Sequence, residues 1–493
     1  MSKLRDDRLA KLEQMRTLGI EPYGAAYPGS TPAGQLVDSY IDDAEGSPVK
    51  AAGRLTAIRG HGKSTFADLT DWTGKVQVHL SLKRVGEDQY AIAKLLDIGD
   101  VIGVEGQIAR TRSGEVTIFA DKFTVLSKAL LPLPEKFHGL RDIEARSRHR
   151  SVDLIANPES MQLALDRTRI IKAVRDFLAA QGFAEVETPM MQAIPGGATA
   201  RPFITHHNAL DIDLYLRVAP ELYLKRLLCG GMERVFEINR NFRNEGISNR
   251  HNPEFTMLEL YQAYADYDVM MQLAEEMITS IAKNVMGKMT FQLGEHEIDV
   301  TPPWPKIRFA DAMQQHAGID MFDEDAVRAK ARELGIDDVD NASLPALIDE
   351  VFKHTVEPTL INPTFLTHHP AEMAPLCRRS ADDPRVSERF EIFVAGFELG
   401  NAYSELNDPV VQRQELEKQL DRRDEGTIGC IDEDFLLALE HGMPPAGGMG
   451  IGIDRLLMLL LEQASLRDVI LFPLMRPEPA QPSHEDVEEP EEE

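Results

Sequence analysis

Three stretches of the chain combine residue types that an ordinary half-buried sheet does not. The richest is FEINRNFRNEGISNRHNPEFTMLELYQAY, residues 236–264, which reads as strand, polar turn, strand. Side chains alternate across a strand, so Arg243 and Glu245 share one face of the first strand. Phe255, Met257, Glu259 and Tyr261 share one face of the second. A plain hairpin does not repeatedly aim carboxylates to the side that carries its aromatic rings; an exposed, salt-bridged sheet face is the competing reading. The second stretch is RFEIFVAGFELGNAYSELND, residues 389–408. Glu391 projects from its first strand, Ala395-Gly396 makes a hairpin turn, and Asn401, Tyr403 and Glu405 share a face of its second strand. Glu398 lies on the opposite parity from Asn401. Both point inward only if the strand bulges near Leu399-Gly400. The third, GGMGIGIDRLLMLL at 447–460, is a glycine-rich strand running into a helix with Arg455 in its first turn. A dinucleotide fingerprint is excluded, because its third glycine would fall on Ile453, and no GxxxxGK[ST] loop exists. Its glycines permit either close helix–sheet packing or backbone approach to a nucleotide beside Arg455.

These residues need long strands held side by side, and the surrounding sequence supplies them. Helices are predicted at 160–181, 220–228, 268–286, 323–334, 344–354, 409–425, 433–440 and 453–463. With extended runs between them they indicate an α+β domain over 156–476, on a mostly antiparallel sheet flanked by helices. Between about 50 and 127 the pattern changes to short β runs: GRLTAIR, STFADLTD, KVQVHLSL, VIGVEGQIAR and EVTIFADKFTVLS. Turn signals at 71–74 and Ser113-Gly114 and a helical piece at 90–96 complete the pattern of an OB-type β-barrel, whose open face binds single-stranded nucleic acid. A β-sandwich fragment is the competing reading. The expected divisions are a helix-and-loop extension over 1–45 (helix at 3–18), the barrel over 46–130, a basic hinge over 131–155, the α+β domain over 156–476 and an acidic tail over 477–493. The hinge carries Lys136, Arg141, Arg146, Arg148 and Arg150, either solvated or touching an RNA backbone.

Composition narrows the function classes. The net charge is -28, and the tail, with eight acidic residues and no Lys or Arg, is expected to be disordered. The rest is still acidic, so any RNA contact must use local basic stripes. No apolar run reaches the roughly 20 residues of a membrane span, and the first residues are too charged for a secretory signal. Cys229, Cys377 and Cys430 are too few and too scattered for a disulfide framework or a zinc site. A cytoplasmic protein with no membrane partner is expected.

Taken together, the three stretches resemble the class II aminoacyl-tRNA synthetases, and within them the lysyl-tRNA synthetase family. GFAEVETPMM, with Pro189, resembles motif 1; FRNEGISNRHNPEFTMLELY resembles motif 2; GMGIGIDR resembles motif 3. PGGATARPF, APELYLKRL and NAYSELND resemble the lysine enzymes specifically, and the HxGH and KMSKS signatures of class I are absent. The resemblance implies an OB-type anticodon domain followed by a class II catalytic domain, which activates L-lysine with ATP and transfers the lysyl group to tRNA(Lys). It implies a homodimer through the region around Pro189. Arg243 would bridge the lysine carboxylate and the α-phosphate; Glu245, His251, Asn252 and Phe255 would bind ATP, with adenine between Phe255 and Arg455. Arg243 and Arg455 would thus be the catalytic residues, and Glu391 and Glu398 would hold Mg²⁺. Gly197, Glu221, Glu259, Tyr261, Asn401, Tyr403 and Glu405 would surround the lysine, with Glu405 and Tyr261 at its ε-ammonium. Position 403 is commonly Phe in the family and is Tyr here. Phe66, Gln77 and Glu115 would read the anticodon, with Phe66 as barrel core the competing reading.

The chemistry suits such residues: a carboxylate attacking an α-phosphate needs two anions aligned and neutralised, and no protein nucleophile. An aspartate or asparagine enzyme shares the layout but needs a cation facing the side chain, where this sequence offers Glu259 and Glu405. A paralogue that lysylates a protein would lack the barrel, and a non-catalytic tRNA-binding protein would have lost members of the ATP set.

Overall fold

The computed structural model describes residues 2–42, 45–134, 140, 142–198, 200–421 and 430–477. The chain divides into two compact units, the first ending at Met161 and the second beginning at Gln162. Lys136 and Arg141, residues 422–425 of a predicted helix, and the tail from 478 lie outside the described residues.

The first unit opens with α1 (Ser2–Thr17) and α2 (Ala33–Asp38) and closes a five-stranded barrel from β1 (Ser47–His61), β2 (Ser64–Asp71), β3 (Gly74–Ser81), β4 (Val101–Arg110) and β5 (Val116–Ser127). The strand order is β1-β2-β3-β5-β4, with β1 returning to β4. Alternation drives closure: Ala67, Leu69, Val76, Val78, Leu80, Ile102, Val104 and Ile118 all point into one core. Helix α3 (Leu82–Ala93), interrupted at Gly86, precedes the fourth strand and starts earlier than the sequence suggests. The expected OB barrel is present.

A buried ionic knot ties α1 to this barrel. Asp100 is fully buried and accepts from Lys128 Nζ at 2.9 Å and from the amides of Asp97 and Ala129 at 2.8 Å. Lys128 also reaches Asp97, which Lys11 pairs from α1; Arg8 donates to the carbonyls of Ile98, Ala129 and Leu131. Beyond the barrel the expected hinge is partly helical, as α4 (Ile143–Arg148) and α5 (Arg150–Ala156). Arg146 and Arg150 both grip buried Asp153, at 2.8 and 2.7 Å, so these two of the hinge's basic residues are tied down within the fold.

The second unit is built on an eight-stranded sheet. Helix α6 (Pro158–Ala180) leads to β6 (Ala184–Glu185); β7 (Met191–Gln192), β8 (Ile204–His207) and β9 (Ile212–Leu216) form a separate small sheet before α7 (Glu221–Cys229). The hairpin of β10 (Arg234–Phe242) and β11 (Glu254–Ala263) is followed by α8 (Tyr267–Ile281), then the β12 (Thr290–Leu293) and β13 (His296–Asp299) hairpin. Next come β14 (Lys306–Arg308), helices α9 (Phe309–His316), α10 (Glu324–Glu333) and α11 (Leu344–Thr355), and β15 (Thr364–Thr367). Finally β16 (Arg389–Val394) and β17 (Phe397–Ser404), α12 (Pro409–Asp421), α13 (Glu433–Glu440), β18 (Ala446–Gly452), α14 (Ile453–Leu460) and α15 (Leu466–Val469) complete the unit. The order is β14-β15-β16-β17-β18-β11-β10-β6, antiparallel except at its two ends. α6, α8 and α14 cover one face through Ile170, Val174, Met270, Met277, Leu456 and Leu457, packed on Leu258, Leu260 and Met449. That leaves the other face for chemistry. The fold is α+β as expected; the helix predicted over 268–286 is α-helical only to Ile281 and ends in a π turn, Ala282–Met286, while α9 escaped prediction.

Asp100→Ala is expected to destabilise the barrel by about 3–5 kcal/mol, because buried Lys128 is left with Asp97 as its one carboxylate partner. Hydrogen exchange on the full chain checks this: protection should fall across β1–β5 and stay unchanged in β10, β11 and β17.

Candidate active site

The uncovered face of the central strands forms a cleft of about 510 Å³. In β11 the alternation works as read: Phe255, Met257, Glu259 and Tyr261 line the cleft, while Leu258 and Leu260 enter the core. Arg243 and Glu245 are a correction. Strand β10 ends at Phe242, so both sit in the connecting loop; the Arg243 amide donates to Pro253 at 2.8 Å and the Glu245 amide to Arg243 at 2.8 Å. The loop still delivers both side chains to the cleft.

In β17 the suspected bulge exists. Ile392 pairs with Gly400 and Phe393 with Glu398, leaving Leu399 as the extra residue, so Glu398, Asn401 and Tyr403 all line the cleft. Ala395 and Gly396, at φ 50° and 66°, form the preceding turn. Strand β18 lies between β17 and β11 and must be slim. A Cβ on Gly448 would stand 2.0 Å from Glu405 Oε1 and 2.5 Å from the Tyr261 ring. Gly448 therefore allows close packing in the floor of the cleft. Arg455 is set by its neighbour Asp454, which accepts from the Thr256 amide at 2.7 Å and from Arg167 at 2.8 Å in the buried layer behind.

One end of the cleft is cationic above and acidic below. The Arg243 guanidinium stands 5.1 Å over the Phe255 ring, and its buried Nε has no hydrogen-bond partner. Arg455 donates to the Glu398 carbonyl at 2.6 Å and lies 3.4 Å from His251 Nε2. Burial first, then Arg455, lowers the His251 pKa. Asn252 donates to the Glu254 carbonyl at 2.6 Å, leaving a buried oxygen unpartnered. Phe255 thus faces Arg243 directly. Glu391 is held by Arg389 at 2.5 Å and His369 at 3.2 Å; burial raises its pKa, but those two groups outweigh it and bring it down to about 2. Glu398 accepts from Asn401 at 3.3 Å. Among the described residues no cluster of three or more His, Cys, Asp or Glu could cage a metal. Glu391 and Glu398 are nevertheless two oxygen donors of the kind that suits a magnesium ion keeping its waters.

The other end holds three buried carboxylates: Glu221, Glu259 and Glu405. Tyr403 donates to Glu221 at 2.5 Å, which gives its hydroxyl a partner, and Tyr261 donates to Glu259 at 3.2 Å. Gly197, at φ +87°, brings its backbone against Glu221 and Ala219 where a Cβ would stand 2.9 and 3.1 Å from theirs. Burial, and then the Glu221 charge, pushes Glu259 up to about 8. Burial also raises Glu405, against the pull of a cation that sequence reading missed: Lys225, wholly buried, 2.7 Å from Glu221 and paired with Glu405. So this end does contain a cation, but one already committed to two carboxylates. Its sequence signal was a lysine on the apolar face of a helix, four residues after Glu221. Arg389 and His369 were missed as well.

In the barrel Phe66 is half-buried on the outer face, not in the core. Its ring stacks on His79 at 4.4 Å, and His79 meets Phe119 edge-on at 5.4 Å, making an aromatic row across β2, β3 and β5. Gln77 lies in the neighbouring row, its carbonyl oxygen accepting from Thr117 at 2.9 Å, and Glu115 is exposed. His79 and Phe119 were not foreseen.

Comparison with known proteins agrees with this geometry. Residues 142–476 match the family described as tRNA synthetases class II (D, K and N), and residues 49–126 match an OB-fold nucleic acid binding domain. The chain is a class II tRNA synthetase by fold and by domain content. Lysine–tRNA ligases of Pelotomaculum thermopropionicum and Carboxydothermus hydrogenoformans are each 52% identical to it, aligned over 97% of this chain and 96% and 99% of theirs. That of Bacillus subtilis is 48% identical over 95% of this chain and 96% of its own. The chain belongs to the lysine–tRNA ligase family.

Gly448→Ala is expected to force Glu405 and Tyr261 from their positions at an overpacking cost of about 1–3 kcal/mol. Denaturant unfolding measures the cost, and a structure of the variant should show both side chains rotated.

Proposed function

We propose that the chain joins L-lysine to the 3′ end of tRNA(Lys) in two steps, both at this cleft: lysine and ATP give a bound lysyl-adenylate and pyrophosphate, then the tRNA hydroxyl takes the lysyl group. The observation that carries the choice of amino acid is the acidic floor. Glu221, Glu259 and Glu405 outnumber Lys225 by two charges, and lysine brings two ammonium groups. Aspartate would set its carboxylate against Glu405, and asparagine would leave that carboxylate short of a charge. Glu405, with Tyr261 nearby, takes the ε-ammonium; Glu221 and the Gly197 carbonyl take the α-amino group, supported by Glu259, with Asn401 and Tyr403 along the side chain. The unpartnered Nε of Arg243 fits a residue that bridges the lysine carboxylate and the α-phosphate. Glu245, His251, Asn252, Phe255 and Arg455 bind the nucleotide, and Arg455 closes on adenine over Phe255.

Magnesium, held by Glu391 and Glu398, supplies charge neutralisation at the phosphates when bound. Arg389 and His369 keep Glu391 ionised and aimed for that duty. The anticodon lies on the Phe66–His79–Phe119 row, with Gln77 and Glu115 reading base edges. Two copies pair through the region around Pro189, where Met190, Met191, Ile204, Leu210 and Ile212 are exposed on and beside the small sheet. The proposed divisions are an extension over 1–45, the anticodon barrel over 46–130, a linker over 131–155, the catalytic domain over 156–476 and a tail over 477–493. Among the described residues no helix is long and apolar enough to cross a membrane. Three unpaired cysteines suit the reducing cytoplasm, where we place the protein.

The test is lysine-dependent pyrophosphate exchange by Glu405→Gln, which keeps the shape and removes the charge. Exchange should fall by about 10²–10³ while ATP affinity persists. An unchanged lysine KM and rate would show that another residue reads the ammonium.

A pH dependence follows from Glu259. With its pKa near 8 in the free pocket, it carries a proton below that pH. An arriving ammonium favours the ionised form, so lysine binding releases a proton there. Lysine KM should fall as pH rises toward about 8 and then level off. Calorimetry in buffers of different ionisation enthalpy should detect the released proton at neutral pH, and less of it as the pH rises through about 8.

A further inference from the structure

Lys225 is wholly buried beneath the cleft, yet the activation chemistry set out above assigns it no contact with lysine or ATP. It leaves α7 one turn after Glu221, and its Nζ donates to Glu221 Oε1 at 2.7 Å. The same ammonium pairs with Glu405 Oε2 and stands 5.4 Å from the centre of the Tyr403 ring. Tyr403 donates to the very oxygen of Glu221 that Lys225 uses. Glu405 Oε1, pressed against Gly448, is buried without a hydrogen-bond partner. Two of the three floor carboxylates therefore share one internal cation, while Glu259 has a hydroxyl.

We propose that Lys225 is a built-in counter-cation of the amino-acid pocket: it aims Glu221 and Glu405 and offsets one of the pocket's three carboxylates, leaving two for the ammonium groups of lysine. It is a positioning and specificity-determining residue that acts through those two carboxylates. This deepens, and rests on, the reading of the acidic floor as the lysine pocket.

The reasoning is electrostatic. Three carboxylates this close and this dry do not all stay ionised unaided; protons neutralise them instead. A lone buried lysine would shed its own proton for the same reason. Between Glu221 and Glu405, however, burial of Lys225 is more than offset, and its pKa rises above the ordinary value. The other titratable groups facing this cluster are Cys229 on α7, Glu259 and Tyr261 on β11, Tyr403 on β17, and Cys377 before β16, all raised by burial. Beyond them Arg243 and Glu237 act on Glu259 and Arg389 on Cys377, so Lys225 is the cation paired directly with Glu221 and Glu405. Without the Lys225 charge, Glu405 would lose the cation that opposes its burial and be pushed further up. Incoming lysine would then have to displace a proton there, and an amino acid lacking the second ammonium would no longer leave a carboxylate unpaired.

The experiment uses full-length Lys225→Gln, which keeps a hydrogen-bond donor, and Lys225→Met, which fills the space. Lysine-dependent pyrophosphate exchange is measured between about pH 6 and pH 9. The expected result is a lysine KM raised about 10²-fold at neutral pH, with the ATP KM unchanged. The pH at which lysine KM levels off should move upward. Ethylammonium ion should restore part of the lysine affinity lost in Lys225→Ala, because it can refill the vacated cation position. A folded Lys225→Gln whose lysine KM and pH profile match the unaltered protein would overturn the proposal. So would failure of both Lys225→Gln and Lys225→Met to fold, since Lys225 would then serve the fold alone. If the unaltered protein showed no lysine-dependent exchange, the lysine-pocket reading would fall instead, which separates the two failures.

Discussion

An ionised carboxylate held away from water persists only with a compensating charge or several hydrogen bonds, and the deep end of the cleft places three buried carboxyl groups under that constraint. Glu221 comes from a helix, Glu259 from a strand and Glu405 from the residues just past another strand, yet they meet at one end of the cleft, the first and last around one ammonium. Convergence requires β11, β18 and β17 to lie close together, and the small residues of β18 allow it. It also requires the opposite face to be a firm hydrocarbon layer, which α6, α8 and α14 provide. The architecture of the second unit is largely a device for holding like charges together at tolerable cost. A ligand that brings positive charge relieves that cost.

The other end of the cleft uses the opposite arrangement. Arg243, Arg455 and Arg389 stand near or under the cleft, each steadied by an acidic or carbonyl partner or by a ring. Anions arriving there find cations already oriented, so little reorganisation is left to the reaction itself. Cationic and acidic ends are joined by single strands: β11 carries Phe255 and Tyr261, and β17 carries Glu398 and Tyr403. Their spacing is set by the 3.3 Å rise of extended chain rather than by flexible loops.

How much of this was legible in the sequence depended on whether one-dimensional parity held. It held in β11, where four cleft-facing side chains could be named from alternation. In β17 parity failed in an informative way: Glu398 and Asn401 could not both face inward without an extra residue, and the extra residue is there. For Arg243 and Glu245 parity misled, because it assumes that the strand continues, whereas β10 stops at Phe242. The barrel was readable from its period-two runs, but the outer row of Phe66, His79 and Phe119 depends on register between strands, which sequence spacing does not contain. Lys225 was invisible for a related reason. A glutamate followed four residues later by a lysine is an everyday pattern on exposed helices, and only the tertiary fold reveals that this pair is sealed inside.

The bulge at Leu399 gives β17 two consecutive phases, one serving Glu398 and one serving Asn401 and Tyr403. A strand built this way is tolerant in composition and intolerant in length. Losing one residue between Phe397 and Asn401 would turn one of the two groups inside out at a stroke, exchanging wet side chains for core ones, as no single substitution there could. Over evolutionary time this segment should therefore accept changed letters while resisting gaps, a frameshift sensitivity written into the pleat and not into the genetic code.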